Sequence, residues 1–435
     1  MVHYLRIGGI KMNVDKDVIV IGAGTSGMMA AISAATHGAS VMLVEKNKRL
    51  GKKLLLTGGG RCNVTNNRPS DDVIQHIPGN GRFLYSAFSQ FDNHDIIRFF
   101  EDKGVKLKEE DHGRMFPVTN RSKTIVEALT SELNKQKVQI ELDAEVEKLL
   151  KEDNRIIGIR LKDGREFTAH CVIIATGGKT YPYTGSTGIG YRLAKKAGHT
   201  VTPLFATESP IKLADTFVQK KVLQGLSLQD VTLSVLNEKG KIRVSHTMDM
   251  LFTHFGVSGP AALRCSMFVN QALEKHNNAT LSLDALPNKS FKQLVHELTT
   301  VKEQQRDKAI KNALKGLLPE RYLEFLLEKA QIDGARPFRQ VEASELERFA
   351  ELIKDFRMSA IGTYPIEKSF VTGGGVNLKE IDPKTLESKL VEGLFFVGEL
   401  LDINGYTGGY NITAAFVTGY VAGKNSAQIA SYFHY

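Results

Sequence analysis

Cysteine is scarce in this chain of 435 residues, which contains only Cys62, Cys171 and Cys265. The three lie far apart, and no pair has the spacing of a CxxC motif or of a zinc site. The sequence therefore predicts neither a disulfide framework nor a structural metal site. Sparse, unpaired cysteines are typical of a reducing compartment, and we expect a cytoplasmic protein.

Long apolar runs are also missing. No segment reaches the roughly 18 consecutive apolar residues that a membrane-spanning helix needs, so no membrane association is expected. Residues 1–16 have a mixed composition without the pattern of a signal peptide. Met12 is an alternative start to Met1, because the first clear strand pattern begins near Asp17.

Clustered positive charge is absent as well, although Lys and Arg outnumber Asp and Glu by 57 to 48 and the net charge is +9. Without a run of five basic residues, this excess favours an anionic small molecule or cofactor over a nucleic acid, and leaves an RNA partner open. The length suffices for two domains of roughly 150 residues each. No feature of the sequence specifies an oligomeric state.

A βαβ unit opens the chain. Asp17–Ile21 is the apolar run of a buried strand, Gly22-x-Gly24-x-x-Gly27 follows at once, and Met28–His37 reads as a helix. A second buried strand at Val41–Val44 ends in Glu45. In such a unit the glycines let a diphosphate approach the helix N-terminus, and the acid accepts the ribose hydroxyls. The pattern predicts a bound dinucleotide.

Two later segments favour FAD over NAD. The first, Ala175-Thr176-Gly177-Gly178, ends a strand after a meander whose turns lie at 153–154 and 163–164. The second runs from Gly398 through Glu399 and Asp402 to Gly408–Asn411, before a final helix. A cofactor as long as FAD needs such remote segments to reach it. A helix beginning near Tyr410 can aim its N-terminus at the flavin N1/C2=O edge and stabilise the charge of the reduced ring.

The middle of the chain has a different pattern. Strand signals occupy 202–266 and helical signals 291–354, whereas further helices are predicted at 82–103 and 122–135. From Ile361 the chain returns to glycine turns and buried strands. We predict an α/β fold with a Rossmann-type FAD domain at 1–192 and 362–435, interrupted by an α+β insert at 193–361.

These motifs resemble those of the BaiN-like family of bacterial NAD(P)/FAD-dependent oxidoreductases along nearly the whole chain. The resemblance rests on Gly22–Gly27 with Glu45, Lys53, Thr57–Asn63 (TGGGRCN), Ala175–Gly178, Gly185–Gly190, Leu251–Pro260, Val371–Val376 and Gly398–Asn411. It implies a two-dinucleotide-binding FAD domain with a parallel sheet, helices and a β-meander. It also implies that the insert is a small β-barrel with helices.

The resemblance also implies a set of FAD contacts. Thr25, Ser26, Lys46 and Lys53 would join the glycine turn at the adenosine and diphosphate end, and a backbone contact from Val146 would hold the adenine. Together with the motif residues, the expected cofactor-binding set is Gly22, Gly24, Thr25, Ser26, Gly27, Glu45, Lys46, Lys53, Thr57, Gly60, Arg61, Cys62, Asn63, Val146, Ala175, Thr176, Gly177, Gly398, Glu399, Asp402, Gly408, Gly409, Tyr410, Asn411 and Ile412.

Candidates for catalysis are fewer. His254 in the insert and Tyr406 before the last helix could each donate a proton beside the flavin, although such residues often only support a turn or pack. Cys62 lacks a partner nearby in sequence, which favours packing or cofactor contact over redox chemistry. Gly185-x-x-Gly188-x-Gly190 follows no new βαβ unit, so NAD(P)H, if used, would bind only transiently.

The expected function is hydride transfer through non-covalently bound FAD, from NAD(P)H to a small organic acceptor. The resemblance adds an activated C=C bond as a candidate acceptor. The alternative is a flavin-dependent tRNA-modifying protein, which the basic net charge favours. A flavin-bound regulator without turnover is a third hypothesis.

Overall fold

The computed structural model describes residues 4–7 and 10–434, with side chains from Val14 onwards. Packing divides them into two compact units. The first unit holds the chain up to Phe205 and again from Phe370 onwards, and the insert unit is Ala206–Ser369. The predicted domain boundaries, 193 and 361, fall 13 and 8 residues before these limits and stay a prediction.

The elements that precede the insert unit are β1 (Tyr4–Ile7), β2 (Ile10–Asn13), β3 (Lys16–Ile21), α1 (Thr25–Thr36), β4 (Val41–Val44), β5 (Thr65–Asn66), α2 (Ser70–Gln75), α3 (Tyr85–Phe88), α4 (Asn93–Glu101), β6 (Leu107–Glu110), β7 (Arg114–Pro117), α5 (Ser122–Lys135), β8 (Gln139–Glu141), β9 (Val146–Glu152), β10 (Arg155–Leu161), β11 (Glu166–Ile174) and α6 (Ile189–Ala197).

The later elements are β12 (Phe205–Thr207), β13 (Ile211–Leu213), α7 (Thr216–Gln219), β14 (Ser227–Leu236), β15 (Ile242–Phe252), β16 (Gly256–Ser258), α8 (Pro260–Leu273), β17 (Ala279–Asp284), α9 (Phe291–Gln304), α10 (Ile310–Ala313), α11 (Glu320–Lys329), α12 (Ala343–Lys354), β18 (Phe356–Thr363), β19 (Val371–Gly373), β20 (Leu394–Phe396) and α13 (Tyr410–Ser431).

A parallel sheet forms the centre of the first unit, in the order β8-β4-β3-β11-β20. Strand β11 belongs to two sheets at once. Its second half pairs in parallel with β3 and β20, while its first half joins β10 and β9 in the antiparallel meander. The meander turns at 153–154 and 163–164 are therefore confirmed. β4, β20 and the paired parts of β3 and β11 are buried, mostly apolar runs, as expected when both faces are covered, whereas the edge strand β8 is partly exposed.

Helices α1 and α13 pack against each other closely enough for their backbones to meet. A Cβ added at Gly419 would lie 2.3 Å from the Ser26 carbonyl oxygen, and one at Gly423 would lie 2.3 Å from that of Ala30. A step of four residues along one helix matches a step of four along the other, so the two run parallel. Their N-termini consequently point toward the same side of the sheet.

The insert unit contains a closed barrel of six strands, in the order β13-β16-β15-β14-β17-β18, and every pairing is antiparallel. Buried side chains of this barrel join those of α8 to α12 in one hydrophobic core. The α/β fold with a meander and a barrel-containing insert is confirmed. Strand β18 extends to Thr363, so the barrel pattern continues past Ile361, where the return was predicted.

The helical signal at 82–103 corresponds to separate short elements. A 3-10 turn at Gly81–Leu84 and α3 are followed by a break, and α4 begins after Asp92. The Asp92 carboxylate accepts from the backbone N–H groups of His94 and Asp95, and this capping box restarts the helix. The helix at 122–135 has the predicted bounds. Within the described residues, no helix is long and apolar enough to cross a bilayer.

Candidate functional site

The glycine turn between β3 and α1 is tightly packed on one side and open on the other. A Cβ at Gly27 would lie 1.8 Å from the Gly22 carbonyl oxygen, and one at Gly22 would lie 2.7 Å from that of Ala175. A Cβ at Gly24, by contrast, would meet no described atom within 4 Å. Among the described residues no side chain caps α1. The turn therefore presents free backbone N–H groups on an open side, as a diphosphate requires.

Glu45, at the end of β4, lies beside this turn. Its carboxylate accepts from the Ala23 backbone N–H at 2.8 Å and from the Asn47 backbone N–H and amide at 2.8 and 2.7 Å. The Ala144 N–H donates to the Glu45 carbonyl at 3.0 Å, which brings the start of β9, including Val146, close to the acid. The glycine turn, Glu45 and the start of β9 thus lie together, whereas Lys53, also expected at this end, lies beside Glu399.

A second carboxylate, Glu399, follows β20. It accepts from the Lys53 ammonium at 2.9 Å and from the backbone N–H groups of Thr372 and Gly178 at 2.9 and 3.3 Å. Burial disfavours the charged form of Glu399, but the ion pair with Lys53 and the backbone donors hold its pKa below the usual value. Lys53 also donates to the Thr180 hydroxyl at 2.6 Å. Four remote segments meet at this carboxylate.

Asn63, Gly409 and Asn411, which are predicted at the flavin end, lie at the N-terminus of α13. A Cβ at Gly398 would lie 2.6 Å from the Ser26 hydroxyl, and one at Gly409 would lie 3.1 Å from the Asn63 amide oxygen. The Asn411 side chain exchanges hydrogen bonds with the Gly405 backbone at 2.7 and 2.8 Å, which holds the turn before the helix. Among the described residues no side chain caps α13.

The segment Thr57–Asn63 forms a left-handed turn that ends in a buried cysteine. Cys62 has a φ of 62° and donates its backbone N–H to the Thr57 carbonyl at 3.0 Å. Burial raises the pKa of its thiol to about 12. Arg61 pairs with Glu110 at 2.9 Å and lies over the Phe116 ring at 4.2 Å, so its charge is neutralised by this partner.

Three buried oxygen atoms in the first unit accept or donate no hydrogen bond within the described part of the chain. They are the amide oxygens of Asn63 and Asn404 and the hydroxyl of Thr176. A buried polar atom without a partner is costly, so each is available to a bound polar group. Asn63 and Thr176 belong to the expected FAD contacts. Together with the open side of Gly24, they show that the residues present fit a dinucleotide with a polar ring.

Of the two predicted proton donors, Tyr406 lies in the first unit and His254 in the insert unit. Tyr406 is 9% exposed, its backbone N–H donates to the His76 carbonyl at 3.0 Å, and its ring stands edge-on to that histidine at 6.4 Å. His254 lies in the exposed turn between β15 and β16, where Thr253 donates to Gly256. A role in the reaction stays a prediction for both.

His76 and Asp402 add chemistry to the same region. The His76 ring stacks on Tyr410 at 4.7 Å, and its Nδ1 contacts the Asp72 carbonyl oxygen at 2.7 Å. Sequence reasoning missed His76, because no motif surrounds it and only the fold brings α2 beside α13. Burial raises the pKa of Asp402 against the opposing effect of the Thr202 hydroxyl.

In the part of the chain with described side chains, the three cysteines are free and buried, and no group of three acidic, histidine or cysteine residues could hold a metal ion. Burial raises the pKa of Cys171 and Cys265, as it does for Cys62. All three thiols therefore stay protonated near neutral pH, and the polar chemistry of the first unit rests on the residues described above.

A family model described as the HI0933-like protein Rossmann domain matches residues 16–425. The chain is 31% identical over 404 residues to a ribosomal RNA dihydrouridine synthase of Haemophilus influenzae, with 92% of this chain and 96% of that protein covered. It is also 31% identical over 411 residues to a 3-dehydro-bile acid delta(4,6)-reductase of Clostridium scindens, with 94% and 98% covered. The resemblance to BaiN-like flavoprotein oxidoreductases is confirmed.

Solved structures show the same fold at lower identity. A 3-ketosteroid delta1-dehydrogenase from Sterolibacterium denitrificans, in complex with 1,4-androstadiene-3,17-dione, matches with a TM-score of 0.51 at 16% identity, covering 95% of this chain and 99% of that chain. Mycobacterium smegmatis Sdh1 in complex with UQ1 matches with a TM-score of 0.51 at 19% identity, covering 96% and 69%.

Proposed function

Because this chain belongs to the HI0933-like family of flavin-dependent oxidoreductases, we propose that it binds FAD non-covalently and reduces a C=C bond conjugated with a carbonyl group. NAD(P)H is the proposed electron donor. When bound, FAD supplies a reversible acceptor and donor of hydride. Both relatives named above carry names that describe hydrogen addition across a carbon–carbon double bond.

One observation carries the proposal: remote segments converge around the N-termini of two parallel, uncapped helices. The N-terminus of α1 and the Gly22–Gly27 turn would hold the diphosphate, and Glu45 would accept the ribose hydroxyls. Glu399, Thr176 and Asn63 would surround the ribityl chain and ring, with the α13 N-terminus at the ring edge that gains negative charge. The other residues of the predicted set are proposed as further FAD contacts.

The test begins with the absorption spectrum and released cofactor of the purified protein. Anaerobic NADH or NADPH should bleach the flavin, and a cyclic enone should restore its colour while the enone becomes saturated. Protein that stays colourless after incubation with FAD contradicts the whole proposal. Flavin that NAD(P)H bleaches, but that no enone or uracil compound reoxidises, contradicts the proposed acceptor.

A second candidate acceptor is a uracil ring in ribosomal RNA. It is favoured by the net charge of +9 and by two relatives with the name ribosomal RNA dihydrouridine synthase, the second from Escherichia coli and 30% identical over 412 residues. This differs from the expected tRNA-modifying alternative in the RNA that is modified. Ribosomal RNA from cells lacking the gene should then contain, by mass spectrometry, an unmodified uridine where wild-type RNA contains dihydrouridine. Unchanged RNA contradicts this candidate.

The free, buried cysteines fit a reducing environment, and we propose a cytoplasmic location on that ground. A fusion to a periplasmic reporter that folds and stays active after export would contradict it.

A further inference from the structure

An exposed aromatic cluster lies where the loop after β11 meets the residue before β19, and the proposed FAD site does not use it. Tyr183 is 64% exposed and Phe370 is 49% exposed, while Tyr181 stands between them at ring-centroid distances of 5.9 and 6.2 Å. We refer to Tyr181, Tyr183 and Phe370 as the aromatic platform. Large rings exposed side by side offer stacking faces to a planar ligand.

The fold holds this platform in place. Tyr181 has a φ of 51°, a conformation that non-glycine residues rarely adopt and that often marks functional loops. The Thr180 hydroxyl contacts the Phe370 carbonyl at 3.5 Å, and the 3-10 turn Pro182–Thr184 positions Tyr183. Tyr181 and Tyr183 are therefore presented by a strained loop, which the Thr180 contact tethers to the segment that carries Phe370.

Positive charge lies along the same loop. Lys46 donates to the Thr187 hydroxyl at 2.9 Å, Lys52 to the Tyr183 carbonyl at 2.7 Å and Lys53 to the Thr180 hydroxyl at 2.6 Å. Glu399 neutralises Lys53, and burial lowers the pKa of Lys46. Lys52 is exposed, and its one named hydrogen bond leaves two ammonium protons for an anion.

From this combination we infer that the aromatic platform and Lys52 form the docking site of the nicotinamide dinucleotide donor. A planar heterocycle would stack on Tyr183 and Phe370, and Lys52 would contact the diphosphate. The inference rests on the proposed function and supplies a site for the donor, for which the chain has no second glycine fingerprint. A hydride leaves the nicotinamide ring, giving NAD(P)⁺, and saturates the C=C bond together with one proton by way of the flavin.

The test measures binding without turnover. FAD-loaded protein is titrated with NAD⁺ and with NADP⁺, which cannot reduce the flavin, and the dissociation constants are determined by calorimetry. Tyr183→Leu and Phe370→Leu should each raise the dissociation constant about tenfold, the effect of losing one stacked ring. Lys52→Gln should raise it about fivefold and flatten its dependence on salt.

Matched controls lie elsewhere in the first unit. Tyr432 is 70% exposed and Lys123 has a side chain that is 74% exposed, so Tyr432→Leu and Lys123→Gln remove the same groups from another surface. Both should leave the dissociation constants unchanged. Platform variants that bind NAD⁺ and NADP⁺ as well as the controls do would overturn the inference. So would variants that lose affinity for a uridine-containing oligonucleotide and keep it for the dinucleotides.

Failure of this inference is distinguishable from failure of the proposed function. Protein reduced with dithionite needs no donor, so its reoxidation by an enone tests the reductase activity apart from dinucleotide binding. Wild-type protein that performs this reoxidation and binds neither dinucleotide would overturn the docking site and leave the reductase activity standing.

Discussion

Glu45 and Glu399 are acidic residues that follow two strands of the same parallel sheet, yet they are held in different ways. Their strands, β4 and β20, are separated by β3 and β11, which places them three strand spacings or about 14 Å apart. Glu45 accepts from neutral donors on the neighbouring turn and on Asn47. Glu399 pairs with a lysine and with two remote backbone segments.

Glu45 is held by contacts within one βαβ unit, whereas Glu399 is held by contacts between segments that are remote in sequence. The Ala23 N–H reaches Glu45 because the βαβ unit returns the chain beside its own first turn. The pKa of Glu399 stays below its usual value because the chain returns after the insert and meets Lys53 and the two backbone donors. Substitutions near Glu45 should therefore mainly change the glycine turn and FAD binding. Substitution of Glu399 should mainly weaken the contacts between the segment that returns after the insert and the rest of the first unit.

The largest effect is expected when the turn beside Glu45 is overfilled. Gly27→Ala places a methyl group 1.8 Å from the Gly22 carbonyl oxygen, so the turn must open. We expect a loss of about 3 kcal/mol in the free energy of unfolding, at the upper end for overpacking. Urea denaturation measures this loss. If too little of the variant accumulates for denaturation, the yield of folded protein relative to the wild type is the measurement.

Gly24→Ala is the matched control, because its methyl group meets no described atom within 4 Å. It should unfold like the wild type and bind FAD at least about tenfold more weakly, since the added group lies where the diphosphate would approach. Wild-type FAD affinity in this variant would show that the open side of the turn is not the diphosphate site.

A smaller effect is expected at the other carboxylate. Glu399→Gln keeps an acceptor for Thr372 and removes the charge that Lys53 faces. The two side chains are 20% and 27% exposed, so we expect about 2 kcal/mol, below the roughly 3–5 kcal/mol of a fully buried pair. The control is Glu127→Gln, whose partner Lys123 lies 3.3 Å away; these side chains are 63% and 74% exposed, so the loss should be below about 0.5 kcal/mol. Equal losses in both variants would contradict a special role for Glu399.

The same pair predicts how stability depends on pH. Because the folded pKa of Glu399 is lowered, its contribution is fully present above its ordinary value of 4.5 and is lost as the pH falls through the folded pKa. The difference in unfolding free energy between the wild type and Glu399→Gln should shrink between pH 5 and about 3. Urea titrations at saturating FAD measure it, and a difference that stays constant would contradict the lowered pKa.

These two sites also show which parts could be read from sequence. Contacts within one βαβ unit follow from spacing, so the Gly22–Gly27 turn and Glu45 were predictable. The meander was predictable from its two turns at 153–154 and 163–164. Glu399 was named in the second FAD segment and Lys53 through the family resemblance, but nothing in the sequence paired the two. Their ion pair joins residues 346 positions apart, and no local pattern encodes such a distance.

The other differences between the predicted and the observed structure also arise from contacts between residues that are not captured by the local sequence pattern. The break before α4 depends on the Asp92 cap, which competes with a continuous helical pattern. Strand β18 passes the predicted return at Ile361, because closing the barrel requires it to pair with both β17 and β13. His76 was missed because its neighbour Tyr410 is distant in the chain. Tertiary pairing decides each of these, and periodicity carries only local information.

The smallest change in stability is expected for Glu45→Gln. The amide oxygen still accepts from the Ala23 N–H, so the free energy of unfolding should fall by only about 1 kcal/mol. FAD affinity should fall about tenfold, because the ribose hydroxyls lose a charged acceptor. Glu141→Gln, at the end of the adjacent strand β8, is the control and should leave FAD affinity unchanged. If Glu45→Gln lowers the free energy of unfolding more than Glu399→Gln does, the comparison is wrong. The hydrogen bonds from neutral donors to Glu45 would then stabilise the first unit more than the ion pair of Glu399.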